Sequence, residues 1–444
     1  MKEIYIGRSD KDVKKWGDVG TAMLGKHYVT TGGEVNLSNK VHLDLVKPHV
    51  MFICGKRGTG KSYTMGTIAE GIQLLPRKVK DNLACVIVDI MGIYWTMRFP
   101  NEREADLVRM WDLDPTGIDV NVMVPLGWVE KYKEMNIPFD APFSFIPGEL
   151  TANDWCNTFG LELFGKYGVI IERVVKTLKN ELATDFGIDE IIDTIRNDKK
   201  CDVSIKEALE NRFSAADDWG IFSKDGTAIA DIAARGKVNI LDTSTLEAAI
   251  GGFSTKALVI GLVALKILEA RMLTRKVEEH AGVESSQSMF GGEDSAAMAK
   301  KMIPMTWLII DEAHQALPHP SEGVTPASVP LIRILREGRQ PGVTLVAATQ
   351  QPGKIHTDVH SQTDLLLSHR VTAQPDVNSL NSIMGSYMSK SLEGYIHALP
   401  KEVGSALMLD DANEKVYAIR TRPRLSWHAG EGACALQLAK DEVL

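Results

Sequence analysis

The sequence predicts an α/β protein built on a parallel sheet, and three observations predict it. Short, continuous apolar runs that end in acids or polar residues recur along the chain, among them Ala84-Cys85-Val86-Ile87-Val88-Asp89, Trp307-Leu308-Ile309-Ile310-Asp311 and Val343-Thr344-Leu345-Val346-Ala347-Ala348-Thr349. Such runs belong to strands covered on both faces, as parallel strands are. Helical patterns alternate with them. The third observation is the turn Gly55-Lys56-Arg57-Gly58-Thr59-Gly60-Lys61-Ser62, which follows the apolar run Val50-Met51-Phe52-Ile53-Cys54 and precedes a helical pattern reaching Ile72.

Taken in order, Ile4-Tyr5-Ile6-Gly7 and the stretches 21–29 and 41–45 read as short β pieces. They suit either a small β unit or pairing with the edge of the main sheet, and 1–46 is set apart as a short N-terminal β segment. The core is expected over 47–150 and 220–425. Its first helix should stop near Leu75, before Pro76, and the buried strand ending at Asp89 follows. From Trp111 to Pro147 the pattern is strands and turns, best at 120–124 and 143–146. Residues 151–219 then turn helical, opening on the cap-like Thr151-Ala152-Asn153-Asp154 and running through helices at 170–182, 188–195 and 204–217. Because this block breaks the β/α alternation, it reads as a helical insertion. A strand at 237–241 and a long helix at 255–277 return to the core, the polar, glycine-rich 284–295 reads as an exposed, mobile loop, and 426–444 reads as a C-terminal tail.

Composition narrows the function. The 444 residues carry 50 basic and 58 acidic side chains, a net charge of −8, so no global basic field draws the chain to nucleic acid or anionic membrane. Any nucleic-acid contact has to be local. Five cysteines, at 54, 85, 156, 201 and 434, form no close pairs and suit neither a disulfide framework nor a zinc cluster. The N-terminus lacks a signal-peptide pattern and the apolar run 257–265 is too short to span a bilayer, so a cytoplasmic location is expected.

The candidate chemistry is that of a nucleoside triphosphate. A strand that ends in glycine turns and leads into a helix N-terminus presents inward-pointing N–H groups to phosphate oxygens. Gly55, Gly58 and Gly60 allow close approach, Lys56, Arg57 and Thr59 complete the loop, Lys61 reaches the β and γ oxygens, and the Ser62 hydroxyl takes one Mg²⁺ position. Asp311, at a strand tip, is the second expected Mg²⁺ partner, and Glu312 the group that orients and deprotonates the attacking water. The strand 343–349 ends in Gln350-Gln351-Pro352, where either glutamine is a candidate γ-phosphate sensor and Gln350 lies closer to the strand. The stretch 331–342 reads as a helix that leaves Arg336 and Arg339 at its C-terminal end, near the sheet's ligand edge. Arginines there suit the helix dipole equally well. Arg339 is the candidate arginine finger and Arg370 the second choice. His356 and His360 have the spacing of metal ligands but no third partner, and Asp311-Glu312-Ala313-His314 spells a helicase signature whose companion motifs are not apparent.

Together with Ile6-Gly7-Arg8, Leu24-Gly25-Lys26 and Asp89-Ile90-Met91-Gly92-Ile93-Tyr94, these motifs resemble the HerA family of the FtsK and HerA ATPase superfamily over most of residues 1–425. The resemblance implies a RecA-like core in a hexameric ring, with ATP and Mg²⁺ at subunit boundaries. It implies movement of double-stranded DNA through the pore, with a nuclease or other effector protein as partner, in end processing, repair or defence. The alternative reading is an ATP-driven factor that remodels protein partners without threading DNA. Two departures stand out: only about 45 residues precede the first core strand, where the family has a fuller β-barrel, and Ile93 replaces a glutamate of the family pattern.

Overall fold

The computed structural model describes residues 3–31, 34–246, 255–287, 293–384 and 392–430. Its strands are β1 (Ile4–Ile6), β2 (Thr21–Thr31), β3 (Glu34–Asp44), β4 (Val50–Cys54), β5 (Leu83–Asp89), β6 (Val120–Pro125), β7 (Ala141–Phe143), β8 (Val238–Asp242), β9 (Met305–Ile310), β10 (Val343–Thr349), β11 (Leu365–His369), β12 (Ser405–Asp410) and β13 (Lys415–Thr421). All join one sheet in the order β1-β3-β2-β13-β12-β11-β4-β10-β9-β5-β8-β6-β7. From β11 to β7 neighbouring strands are parallel. This is the mixed α/β, RecA-like core that the sequence predicts, with a helical insertion and an N-terminal β segment.

The apolar runs are continuous because both faces are covered. Phe52 and Cys54 of β4, with Ala84, Val86 and Val88 of β5, enter one buried cluster. Met51 and Ile53, with Leu83, Cys85 and Ile87, enter the other. Strand periodicity alone assigns the two sets to opposite sides. Burying each large side chain contributes about 1.5–3 kcal/mol, which holds the sheet rigid where its C-terminal edge carries the candidate chemistry.

The N-terminal segment does not stand alone. β2 pairs antiparallel with β13, β13 with β12 and β12 with β11, so β1–β3 extend the main sheet. The sequence reading does not identify β12 and β13, the hairpin that makes this connection. Among the described residues, 151–219 contain helices and no strand: Ala152–Phe159, Gly168–Leu182, Ile188–Asn197 and Val203–Asp217. The first is closed by a reciprocal capping box, Thr151 with Asp154. Their apolar faces, including Trp155, Ile171, Ile191 and Phe213, join the same buried cluster as β4 and β5.

Two expectations are corrected. The long helix runs Thr255–Gln287 and a second spans Glu293–Lys301, so the ends of the expected loop at 284–295 are helical and only 288–292 fall outside the described residues. Ion pairs explain the extension. Arg271 reaches Glu278 at 3.0 Å, Arg275 pairs with Glu279, and His280 lies 3.5 Å from Glu284. At about 0.2–0.5 kcal/mol for each exposed pair, they offset part of the cost of about 1 kcal/mol for Gly282. The second correction concerns the start of the expected tail at 426–444: Ser426 is fully buried, packed with Arg422 and Arg424 on the helix Lys61–Gln73, while 431–444 lie outside the described residues.

Candidate active site

The strand order brings the site together. β10 sits between β4 and β9, so the loop after β4, the acids after β9 and the glutamine after β10 meet at one edge. The helix Lys61–Gln73 begins at Gly60, which has φ +115° and provides no side-chain cap. Its first N–H groups are therefore open to an anion, reinforced by the helix dipole. Packing at Gly60 is tight as well, since a Cβ there would lie 3.3 Å from His369 Cε1 and from the Gly404 nitrogen.

His369 is a residue that sequence reasoning missed. It is fully buried, and burial pushes its pKa down to about 4, so it is neutral at pH 7. Its Nδ1–H donates to the Ser405 carbonyl at 3.2 Å, and its Nε2 accepts from the Thr64 hydroxyl at 3.0 Å. The ring props the phosphate loop from below, while the Lys56 N–H donates to the Arg370 carbonyl at 3.1 Å. An apolar run followed by His-Arg gives no sequence signal for this role.

Lys61 is buried and its Nζ donates to the Lys56 carbonyl at 3.2 Å. Burial lowers its pKa, against the pull of Glu312 and Asp311. The Ser62 hydroxyl donates to Asp311 Oδ2 at 2.7 Å, and Asp311 Oδ1 accepts the Glu312 N–H at 2.8 Å. A hydroxyl in contact with a buried carboxylate is a donor set that suits Mg²⁺, which takes its other ligands from water and phosphate. Among the described residues no group of three His, Cys, Asp or Glu side chains forms a metal site. His356 and His360 do not form one: His356 Nδ1 caps a short helix by accepting the Asp358 N–H at 3.1 Å, and His360 Nε2 faces the Pro352 carbonyl at 3.2 Å.

Glu312 has the backbone of a residue under constraint, φ 45° and ψ 43°, which costs a non-glycine side chain of order 1 kcal/mol or more. Its Oε1 accepts from Gln350 Nε2 at 2.9 Å. Its Oε2 is buried without a hydrogen-bond partner, 3.5 Å from His314 Nδ1. That nitrogen is engaged elsewhere, 2.9 Å from the Thr349 hydroxyl, which in turn accepts the Gln351 N–H at 3.0 Å. Burial, then the neighbouring Asp311, raises the Glu312 pKa, with Lys61 pulling it back. A carboxylate with one oriented and one open oxygen has the geometry of a general base.

The structure does not bring Arg339 to this edge. The helix Ser328–Glu337 ends in a turn in which the Val343 N–H donates to the Gly338 carbonyl at 2.8 Å, tying it to the start of β10. Gln350 lies at the other end of that strand, about 20 Å away at 3.3 Å per residue. The sequence expectation that this helix ends at the ligand edge is thus wrong, because it runs antiparallel to β10. Arg339 is exposed beside an open cavity lined also by Arg275, Lys276 and Arg336. Arg336 is paired with Asp358 at 2.6 Å, and Arg370 lies at the phosphate-loop edge.

These features define a P-loop ATPase in which an additional strand separates the phosphate-binding strand from the strand carrying the acids. The chain belongs to the family described as Helicase HerA, central domain, whose model matches residues 23–252, just over half of its length. Membership sets it among the ATP-driven translocases of the FtsK and HerA superfamily. Among solved structures, VirB4 of Thermoanaerobacter pseudethanolicus is similar in fold, with TM-score 0.50 and 12% identity over 94% of this chain and 98% of that one. The genome packaging NTPase B204 from Sulfolobus turreted icosahedral virus 2, in complex with ATP-gammaS, aligns with TM-score 0.34 and 11% identity over 84% of this chain and 96% of that one. The cytoplasmic domain of the Thermomonospora curvata Type VII secretion ATPase EccC aligns with TM-score 0.37 and 11% identity over 92% and 29%. The last two overlay too loosely to carry an argument. No curated protein sequence matches the chain. Among the described residues no helix is long and apolar enough to cross a membrane.

Proposed function

We propose that the chain hydrolyses ATP with Mg²⁺ in a self-assembled ring, a hexamer by family resemblance, and uses the turnover to move double-stranded DNA, with a nuclease or other effector protein as partner. The observation that carries the ATPase reading is the contact chain Ser62–Asp311–Glu312–Gln350, with an open carboxylate oxygen beside the uncapped helix N-terminus. In this reading the loop N–H groups and Lys61 hold the phosphates, and Ser62 and Asp311 hold the metal, which neutralises charge on the transferring phosphoryl group when bound. Glu312 takes the proton of the attacking water at Oε2, and Gln350 fixes the carboxylate by its bond to Oε1. The exposed Arg339 is assigned to the neighbouring subunit's phosphates, since its own are about 20 Å away.

The DNA reading rests on family membership, whereas the net charge of −8 favours a second reading, remodelling of protein partners. ATPase rates with and without duplex DNA, across a salt series, decide between them. A translocase on DNA is stimulated, and the stimulation falls steeply with salt as phosphate contacts are screened. ATPase activity indifferent to duplex DNA at every salt concentration supports the remodelling reading.

A further inference from the structure

The N-terminal edge of the sheet, opposite the candidate chemistry, carries a charge pattern that none of the motifs accounts for. The C-terminal ends of β5, β8 and β9 are acidic, with Asp89, Asp242 and the pair Asp311 and Glu312. The turns that lead into the same three strands are basic: Arg77, Lys78 and Lys80 before β5, Arg235 and Lys237 before β8, Lys300 and Lys301 before β9. Asp81 is the one carboxylate in residues 76–82, 234–237 and 297–304, and it lies 3.4 Å from Arg77 Nε. The net charge of −8 hides this division.

Two arginines tie these turns into a ledge. β5 lies between β8 and β9, parallel to both, with Cys85 opposite Val238 and Leu83 opposite Met305, so the three strands start side by side. Half-buried Arg235 donates from Nη1 to the Asp81 carbonyl and from Nη2 to the Met302 carbonyl, each at 2.7 Å. Buried Arg271 donates from Nη1 to the Ile303 carbonyl at 2.9 Å and from Nε to the Pro341 carbonyl at 2.7 Å, which joins the ledge to the turn before β10. Gly236, at φ +70°, lets the β8 turn pass close to the β5 turn, since a Cβ there would lie 2.9 Å from Asp81 Oδ1. On this frame Lys78, Lys237, Lys300 and Lys301 are exposed, and their side chains have no hydrogen-bond or ion-pair partner among the described residues.

We propose that this ledge docks the sugar–phosphate backbone of duplex DNA through Lys78, Lys237, Lys300 and Lys301, a reading that rests on the DNA function proposed above. Three neighbouring turns span two gaps between strands, about 10 Å. One strand of a duplex presents a phosphate about every 3.4 Å along its axis, so the ledge faces about three at once. The acids do not oppose this contact. They stand at the far end of β5, seven residues or about 20 Å away, beyond a Debye length of about 8–10 Å. A chain of net charge −8 thereby offers DNA a local positive surface. The turns hold no aromatic side chain, and an interface with a folded protein takes its main anchors from such residues. Lysines on a rigid frame read charge without base sequence, as contacts to phosphate do.

The test is binding of a fluorescently labelled duplex across a salt series, by anisotropy, to the full chain and to a variant combining Lys78→Ala, Lys237→Ala, Lys300→Ala and Lys301→Ala. Each phosphate contact contributes about 0.9 to the slope of log affinity against log salt, so the variant is expected to bind more weakly, with a slope shallower by about 3–4. The loss should be equal for duplexes of unrelated sequence, and ATPase activity without DNA should be unchanged. Wild type that binds duplex with an affinity and slope the variant keeps overturns the ledge and leaves the DNA reading standing. Wild type that binds no duplex at any salt concentration overturns both. A variant that loses affinity for anionic vesicles or polyglutamate but not for duplex gives the ledge to a membrane or an acidic protein and overturns the proposal. Lysine acetylation of wild type, read by mass spectrometry, needs no variant: duplex is expected to protect these four lysines and not the exposed Lys40 of β3, and equal labelling with and without duplex overturns the proposal.

Discussion

Replacing Glu70 by alanine tests how the C-terminal segment is held to the phosphate-loop helix. Glu70 is fully buried, and its carboxylate accepts from Arg422 Nη1 at 2.7 Å, Arg424 Nε at 3.3 Å, the Leu425 and Ser426 N–H groups at 3.2 and 2.9 Å, and the Ser426 hydroxyl at 2.6 Å. Burial alone would raise its pKa, but the two guanidiniums and Ser426 overcome that and hold it below the usual glutamate range. Removing the carboxylate leaves two buried cations unpaired, at a cost of about 3–5 kcal/mol. With an unfolding entropy of about 2.1 cal/mol/K per residue over a chain this long, that cost lowers Tm by about 3–5 °C. Thermal unfolding of wild type and Glu70→Ala at one scan rate measures it. The folded pKa is depressed, so the stabilisation is fully present above the ordinary glutamate pKa and is lost only as pH falls through the lower, folded value. The Tm gap should therefore be flat from pH 6 to 8 and close in acid. A Glu70→Ala protein within about 1 °C of wild type at pH 7 would refute the reasoning.

Lys61→Ala is expected to abolish tight nucleotide binding, while Glu312→Gln binds ATP normally and stalls hydrolysis, measured by binding and by phosphate release; full turnover in Glu312→Gln would remove it as the base. Arg339→Ala and Lys61→Ala, each inactive alone, should recover part of the ATPase activity when mixed, because a mixed boundary holds an intact loop and an intact arginine; an Arg339→Ala protein with undiminished activity takes Arg339 out of the site. Asp89 is fully buried, and burial, then neighbouring Asp242, raises its pKa to about 7. The folded pKa lies above the unfolded one, so this group's contribution is full below the ordinary aspartate pKa and declines as pH rises to about 7, by up to about 1.4 kcal/mol per pH unit. Asp89→Asn should flatten that slope in a Tm series from pH 5 to 8, and an unchanged slope would place the titrating group elsewhere.

The parallel core and the nucleotide chemistry were legible because both are written locally. A strand covered on both faces has to be apolar at every position, so β5, β9 and β10 stand out as runs, and a phosphate loop needs its glycines, lysine and serine in consecutive order. Asp311, Glu312 and Gln350 were found for the same reason, each following directly on such a run. β13 was missed because its positions are mostly half-covered and carry a weaker pattern, and β12, buried at every position, was missed with it. The helix at 278–287 was missed because its support comes from ion pairs spaced along its surface rather than from an apolar stripe.

By itself, then, the sequence picked out the candidate phosphate loop, the acids that end the central strands, and the helices that interrupt the alternation at 151–219. Only the tertiary structure decided that β10 lies between β4 and β9, setting Gln350 against Glu312, and that Arg339 faces the opposite edge. It alone brought Asn101 and Glu104 against Arg424 and Trp427, more than three hundred residues apart in the chain, to wall a cavity beside the phosphate loop. The physical reason is range: dihedral preference and burial pattern act over a few residues and leave their mark there, whereas strand order and buried ion pairs such as Glu70 with Arg422 join residues whose separation carries no periodic trace.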